Sequence, residues 1–137
     1  MAPGKLTLKG FLGVDTRTLG DIIRADTLVL RNHQVNGTAI ADALSAITEK
    51  ARDIMEQEKE IDGRFRVSVR DDRGLQPSPW GDGRFGKGDT VLFDTKTDVT
   101  LRWNELTLHL IRRHDFFGGV GSDYRLDPQT IIGLLPL

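Results

Sequence analysis

The sequence predicts an α+β fold in which one long amphipathic helix packs on a small, mostly antiparallel sheet, with two shorter C-terminal helices. Three observations predict it: apolar residues at helical spacing over residues 38–61, a strictly alternating segment at residues 64–70, and two helical segments in the last third of the chain. The chain has 137 residues, about the size of one domain, so residues 1–137 are treated as a single domain.

Residues 1–37 are predicted to form an N-terminal strand and arm region. Residues 5–9 alternate between polar and apolar side chains, which is typical of a half-buried strand. Asp15 is placed to cap a short helical turn. Residues 27–30 are predicted to form a second short strand, which the turn-forming Asn36-Gly37 pair ends.

The long helix is predicted to run without a break from an N-cap at Thr38 to residue 61, with Gly63 just beyond its end. Side chains four and three residues apart share one helix face, so the apolar residues of this segment form a stripe. The same spacing occurs in coiled coils, which makes the stripe a candidate oligomer seam. The seam residues are Ile40, Leu44, Ile47, Ile54 and Ile61.

Residues 71–89 are predicted to be a long loop because they contain five Gly and two Pro. Trp80 and Phe85 either pin this loop to the domain or reach into a partner's pocket, since aromatic side chains are favoured interface anchors. With Arg84 they form the candidate partner-binding loop, which we expect to be dispensable for folding. A small-ligand site under the loop is a further alternative. Residues 81–86 match G-x-G-x-x-G, but they lack the preceding strand and following helix that dinucleotide binding requires.

The remaining elements are two strands and two helices. Residues 90–93 and 99–101 are predicted strands, separated by a polar turn. Residues 104–117 are predicted to form a helix, and the Asp127-Pro128 pair is a typical start for the last one.

Composition excludes several classes of protein. With 38% hydrophobic and 28% charged residues, the chain resembles a soluble globular protein and differs from disordered and membrane proteins. The absence of cysteine excludes disulfides, thiolate metal sites and thiol nucleophiles. The chain begins with no signal-peptide pattern, and its apolar runs are far shorter than the roughly 20 residues of a membrane span. We therefore expect a cytoplasmic protein, free or within a large particle assembled there, with no membrane partner.

No pattern of catalytic or metal-binding residues is evident in the sequence. His109 and His114 stand five residues apart, which places them on different helix faces and argues against a shared metal ion. The loop carboxylates have no Ser/His/Asp spacing or nucleophile elbow beside them. We therefore predict no enzymatic activity, no cofactor and no metal.

Two functions from different classes fit these observations. The first is a non-catalytic protein-interaction or assembly module, either a homo-oligomer or a structural subunit of a larger complex. The apolar segment at residues 131–137 favours it, because such a segment has to be covered. The alternative is a nucleic-acid-binding module that uses the arginine-bearing strand face of Arg64, Arg66 and Arg70. A net charge of −1 gives no general attraction to nucleic acid, and salt dependence separates the two functions.

Overall fold

The computed structural model describes residues 12–52, 59–61, 63–70, 74–86 and 88–135. Its described helices are α1 (Leu19–Asn32), α2 (Gly37–Arg52), α3 (Glu105–His114) and α4 (Pro128–Leu134). Its described strands are β1 (Lys59–Ile61), β2 (Phe65–Arg70), β3 (Leu75–Pro77), β4 (Arg84–Gly86), β5 (Asp89–Asp94) and β6 (Val99–Trp103). Helices combined with antiparallel strands confirm the predicted α+β class. In the described ranges, no helix combines the length and apolar character needed to cross a bilayer.

Four strands form one antiparallel sheet in the order β1-β2-β5-β6, and β3 pairs with β4 in a separate hairpin. Val67, Leu92 and Leu101 lie opposite one another across three strands and are buried on one face. Successive side chains of a strand point to opposite faces. The alternating pattern of residues 64–70 accordingly places Val67 on the buried face and Arg66 on the exposed one. The other side, called here the second face of the sheet, carries Arg66, Ser68, Arg70, Asp89, Val91, Phe93, Thr100 and Arg102.

Helix α2 packs on the buried face of the sheet and against α3. Ile40 and Leu44 are fully buried, and Ile47 packs partly buried against the same apolar cluster. At the start of α2 the two helices approach closely, because a Cβ on Gly37 would lie 2.7 Å from the carbonyl oxygen of Ile111. Ile40 and Leu44 of the predicted oligomer seam are therefore core residues within one chain.

The predicted bounds of the long helix require correction. Asn36 caps α2 by accepting a hydrogen bond from the backbone N–H of Ala39, in place of Thr38. Among the described residues the helix ends at Arg52, and Ile61 lies in β1 opposite Phe65. Gly63 has the expected left-handed φ of 66°, but it uses that conformation in the turn between β1 and β2. Ile54, another residue of the predicted seam, lies outside the described ranges.

The predicted strand at residues 27–30 is wrong, because this segment belongs to α1. Thr18 caps the helix by accepting a hydrogen bond from the backbone N–H of Asp21, so the cap is not Asp15. Ile22, Asp26 and Leu30 are buried at a spacing of four, which is one helix face and not a strand face. The predicted strand at residues 5–9 lies outside the described residues.

The two C-terminal helices agree with the predicted elements. Asn104 and Thr107 form a capping box at the start of α3, and Asp127 caps α4 by accepting a hydrogen bond from Thr130. Helix α3 ends earlier than predicted, since Asp115 adopts a left-handed φ of 50°. Ile131 and Leu135 are buried in the main core, so this chain covers the described part of its own apolar C-terminal segment.

Candidate functional site

The segment predicted as a loop contains the β3–β4 hairpin, which docks on α3. Its register is a set of three antiparallel pairs: Leu75 with Gly86, Gln76 with Phe85, and Pro77 with Arg84. Ser78 closes the turn with two backbone hydrogen bonds of 2.9 Å, one to Gly83 and one from Gly81. Both glycines have positive φ, 69° at Gly81 and 146° at Gly83, a conformation that other residues rarely adopt. The glycines therefore specify a tight turn.

Trp80 and Phe85 each stack on a histidine of α3. The Trp80 and His114 ring centroids lie 4.1 Å apart with planes at 10°, and those of Phe85 and His109 lie 4.2 Å apart at 25°. Both aromatic rings also pack on an apolar cluster formed by Ile22, Leu106, Leu110 and Phe116. Trp80 and Phe85 thus pin the hairpin to the domain, the first of the two roles considered for them.

Arg84 is placed differently from its two aromatic neighbours. Because alternate residues of a strand point to opposite sides, Arg84 and its pair Pro77 lie on the opposite side from Phe85. Leu75 shares that side, and all three residues are exposed. Leu75, Pro77 and Arg84 are called here the outer face of the hairpin.

Asp82, at the tip of the hairpin, brings the two histidines together. Its Oδ2 lies 2.9 Å from His109 Nε2 and 2.7 Å from His114 Nε2. Burial of the Asp82 carboxyl acts to raise its pKa, but hydrogen bonds from Ser78, His114 and His109 outweigh it and hold the pKa well below its usual range. The group is therefore a carboxylate that accepts hydrogen bonds from two imidazoles.

This convergence differs from what the spacing of the histidines predicted. Five residues correspond to about 140° around a helix, so the Cβ atoms of His109 and His114 do lie on different faces. His114 is the last residue of α3, and Asp82 reaches both rings from the hairpin. The two imidazoles meet edge to face, with centroids 5.7 Å apart. The one sequence signal for this cluster is an acidic residue between two aromatic residues in a glycine-rich turn.

Asp82, His109 and His114 are the described residues whose donor atoms are grouped closely enough to hold a metal ion, all within 4.8 Å of one another. In the hydrogen-bonded arrangement the carboxylate orients both imidazoles through their Nε2 atoms. If a metal ion replaces the two Nε2 protons, which move to Nδ1 as each imidazole changes tautomer, the same three atoms become its ligands. The sequence predicted no metal site, because His109 and His114 stand five residues apart.

The structure does not bring the three predicted phosphate-contacting arginines to one face. The guanidinium of Arg64 donates two hydrogen bonds to the buried carboxylate of Asp94, with lengths of 2.6 and 2.8 Å. Arg66 and Arg70 are exposed on the second face of the sheet, where Arg66 lies opposite Phe93. Only two members of the predicted set therefore share a face.

Beside His109 there is an open depression of about 280 Å³ between the hairpin, α2 and α3. Its lining residues are Ser45, Phe85, Glu105, Leu108, His109 and Arg112. The Glu105 carboxylate there accepts a 3.0 Å hydrogen bond from the backbone N–H of Gly86, and Arg112 pairs with Asp42.

Comparison with known proteins found no matching family model, no matching curated protein and no matching solved structure.

Proposed function

We propose that this chain is a non-catalytic protein-interaction module and that its partner binds the outer face of the hairpin. The observation that supports this is the 59% exposure of Leu75, which shares that face with Pro77 and Arg84. Arginine is enriched at protein interfaces, and an exposed apolar side chain beside it supplies surface that a partner can bury.

The rigidity of the hairpin supports the same function. Its inner side is held by the Trp80 and Phe85 stacks and by the backbone hydrogen bond from Gly86 to Glu105. A surface that is already ordered loses little conformational entropy when a partner binds, so more of the contact energy is retained. The partner that fits this face has an apolar pocket for Leu75 and a carboxylate for Arg84.

The partner is a second copy of this chain or another subunit. Several of the apolar residues from which the sequence predicted self-association no longer support it, because they are buried within one chain. Ile40 and Leu44 of the predicted seam are buried in the core of one chain, as is Ile131 of the C-terminal segment. These apolar features therefore need no second chain to cover them. Self-association through the hairpin face remains a proposal, which the mass in solution tests directly.

The test compares the wild-type chain with an outer-face variant that carries Leu75→Ser and Arg84→Glu. Lys96→Glu in the exposed β5–β6 turn is a matched control. For self-association, sedimentation of the wild type and the control should show a mass above that of the monomer that rises with concentration, while the outer-face variant stays monomeric.

If the wild type is monomeric, a second experiment places a photo-crosslinking residue at position 75, 84 or 96 and tests each chain in cell extract. With another subunit as the partner, adducts form in cell extract from positions 75 and 84 and not from position 96. A monomer with no such preference would disprove the proposal.

A second candidate function, nucleic-acid binding, is supported by the second face of the sheet. Arg66 lies directly opposite the half-buried Phe93, and Arg102 lies diagonally across from it on β6, opposite Val91. Bases stack on such rings while arginines contact phosphates. Asp89 pairs with Arg102 at 3.3 Å and reduces the positive charge of this face.

Fluorescence anisotropy with single-stranded RNA and DNA tests this alternative. Binding that weakens steeply with salt and is lost in Phe93→Ala and Arg66→Glu would support nucleic-acid binding. Absence of binding at low salt, or binding that neither substitution changes, would exclude this face.

A further inference from the structure

We infer that Asp82, His109 and His114 form a binding site for a divalent transition-metal ion of the zinc class. The site joins the tip of the β3–β4 hairpin to α3, and zinc can occupy it with or without a protein partner. The inference therefore goes beyond the proposed interaction function and does not depend on it.

The distances are close to those that zinc requires. Zinc bonds to imidazole nitrogen and carboxylate oxygen are about 2.0 Å long, which places tetrahedral ligands about 3.3 Å apart. Here the carboxylate oxygen lies 2.9 and 2.7 Å from the two Nε2 atoms, and all three donor atoms fall within 4.8 Å of one another. The two oxygen–nitrogen distances therefore have to lengthen by about 0.4 and 0.6 Å to admit the ion.

The donor set selects the class of metal. Two imidazole nitrogens and one carboxylate oxygen suit zinc, copper, nickel and iron, whereas magnesium and calcium favour oxygen ligands. Three protein ligands leave one tetrahedral position for water or for a group from another molecule. His114 also ends α3, where the backbone carbonyl groups favour a positive charge.

The ligands are held in place before a metal binds. Trp80 stacks on the His114 ring and Phe85 on the His109 ring, while Ser78 donates a hydrogen bond to the Asp82 carboxylate. The His109 and His114 side chains are only 14% and 21% exposed. Supporting contacts of this kind orient ligands and strengthen metal binding. They also couple zinc binding to the position of the hairpin.

The experiment titrates the full chain, freed of metal with a chelator, with zinc chloride in a calorimeter. We expect one zinc ion per wild-type chain. Asp82→Asn and His114→Gln should each weaken the affinity at least about tenfold. His33→Gln is the matched control, because His33 is the third histidine and lies outside the cluster. The control should bind zinc like the wild type.

Nuclear magnetic resonance of the imidazole nitrogens is measured on the wild-type chain, so it gives a result even if the variants fail to fold. Zinc should shift the Nε2 signals of His109 and His114 and leave those of His33 unchanged. No zinc binding to the wild type, unweakened binding in folded ligand variants, or shifts at His33 alone would overturn the inference. None of these results changes the expected behaviour of the Leu75 and Arg84 variant, so the two proposals fail independently.

Discussion

The indole ring of Trp80 lies nearly flat on the imidazole ring of His114, with centroids 4.1 Å apart and planes at 10°. The same indole meets the ring of Phe116 edge-on, with centroids 5.6 Å apart. One side chain thus joins the hairpin tip both to α3 and to the apolar cluster beneath it. This contact makes a segment rich in glycine and proline part of the folded domain.

Replacing Trp80 with alanine should lower the free energy of unfolding by about 1–3 kcal/mol, because a partly buried ring and two aromatic contacts are lost. Urea denaturation measures the change. Arg84→Ala on the outer face of the hairpin is the control and should cost less than about 0.5 kcal/mol. Equal, small effects would mean that the hairpin is dispensable for folding, as its glycine and proline content predicts.

Leu44→Ala should destabilise the chain by about 2–5 kcal/mol, because Leu44 is fully buried between α2 and the rest of the core. Ile47→Ala should cost less, since Ile47 packs only partly buried against the same cluster. Denaturation of both variants at matched protein concentration makes the comparison. A larger cost at Ile47 would indicate that a second chain covers it and would restore the oligomer seam.

Arg125→Met should be strongly destabilising, by about 3–5 kcal/mol, because it leaves a buried carboxylate without its partner. Arg125 donates a 2.9 Å hydrogen bond to Asp26, which is 4% exposed, and also bonds the carbonyl of Gly118. Adding Asp26→Asn to this variant should recover part of the loss. If the double variant unfolds as readily as Arg125→Met, the buried charge is not the cause.

Acid should destabilise the chain partly through Asp94. Hydrogen bonds from the Arg64 guanidinium hold the pKa of Asp94 well below its usual range, although burial opposes this. A carboxyl with a lowered folded-state pKa adds stability above its unfolded pKa, and that stability is lost as pH falls through the folded-state pKa. Asp94→Asn should therefore lower the melting temperature at neutral pH. The difference from the wild type should shrink below about pH 4, and a difference that stays constant with pH would contradict this.

Much of the fold was predictable from local pattern. Alternation placed Val67 on the buried face of β2, helical spacing placed Ile40 and Leu44 in the core, and the Asp127-Pro128 pair marked the start of α4. Local pattern gave the wrong element where the same short apolar segment suits both a strand and a helix. Residues 27–30 suit a strand as well as a helix, and only the burial of Ile22 and Leu30 on one side shows the helix.

What the sequence determined by itself is therefore the set of features that neighbouring residues control: the fold class, the buried positions of β2 and α2, and the Asp127 cap of α4. Tertiary structure decided that residues 59–61 form a strand of the four-stranded sheet and that a glycine-rich segment becomes a docked hairpin. It also decided the one cluster able to hold a metal among the described residues. Asp82 meets His109 and His114 across separations of 27 and 32 residues. Periodicity describes one element at a time, whereas this site exists only where two elements pack against each other.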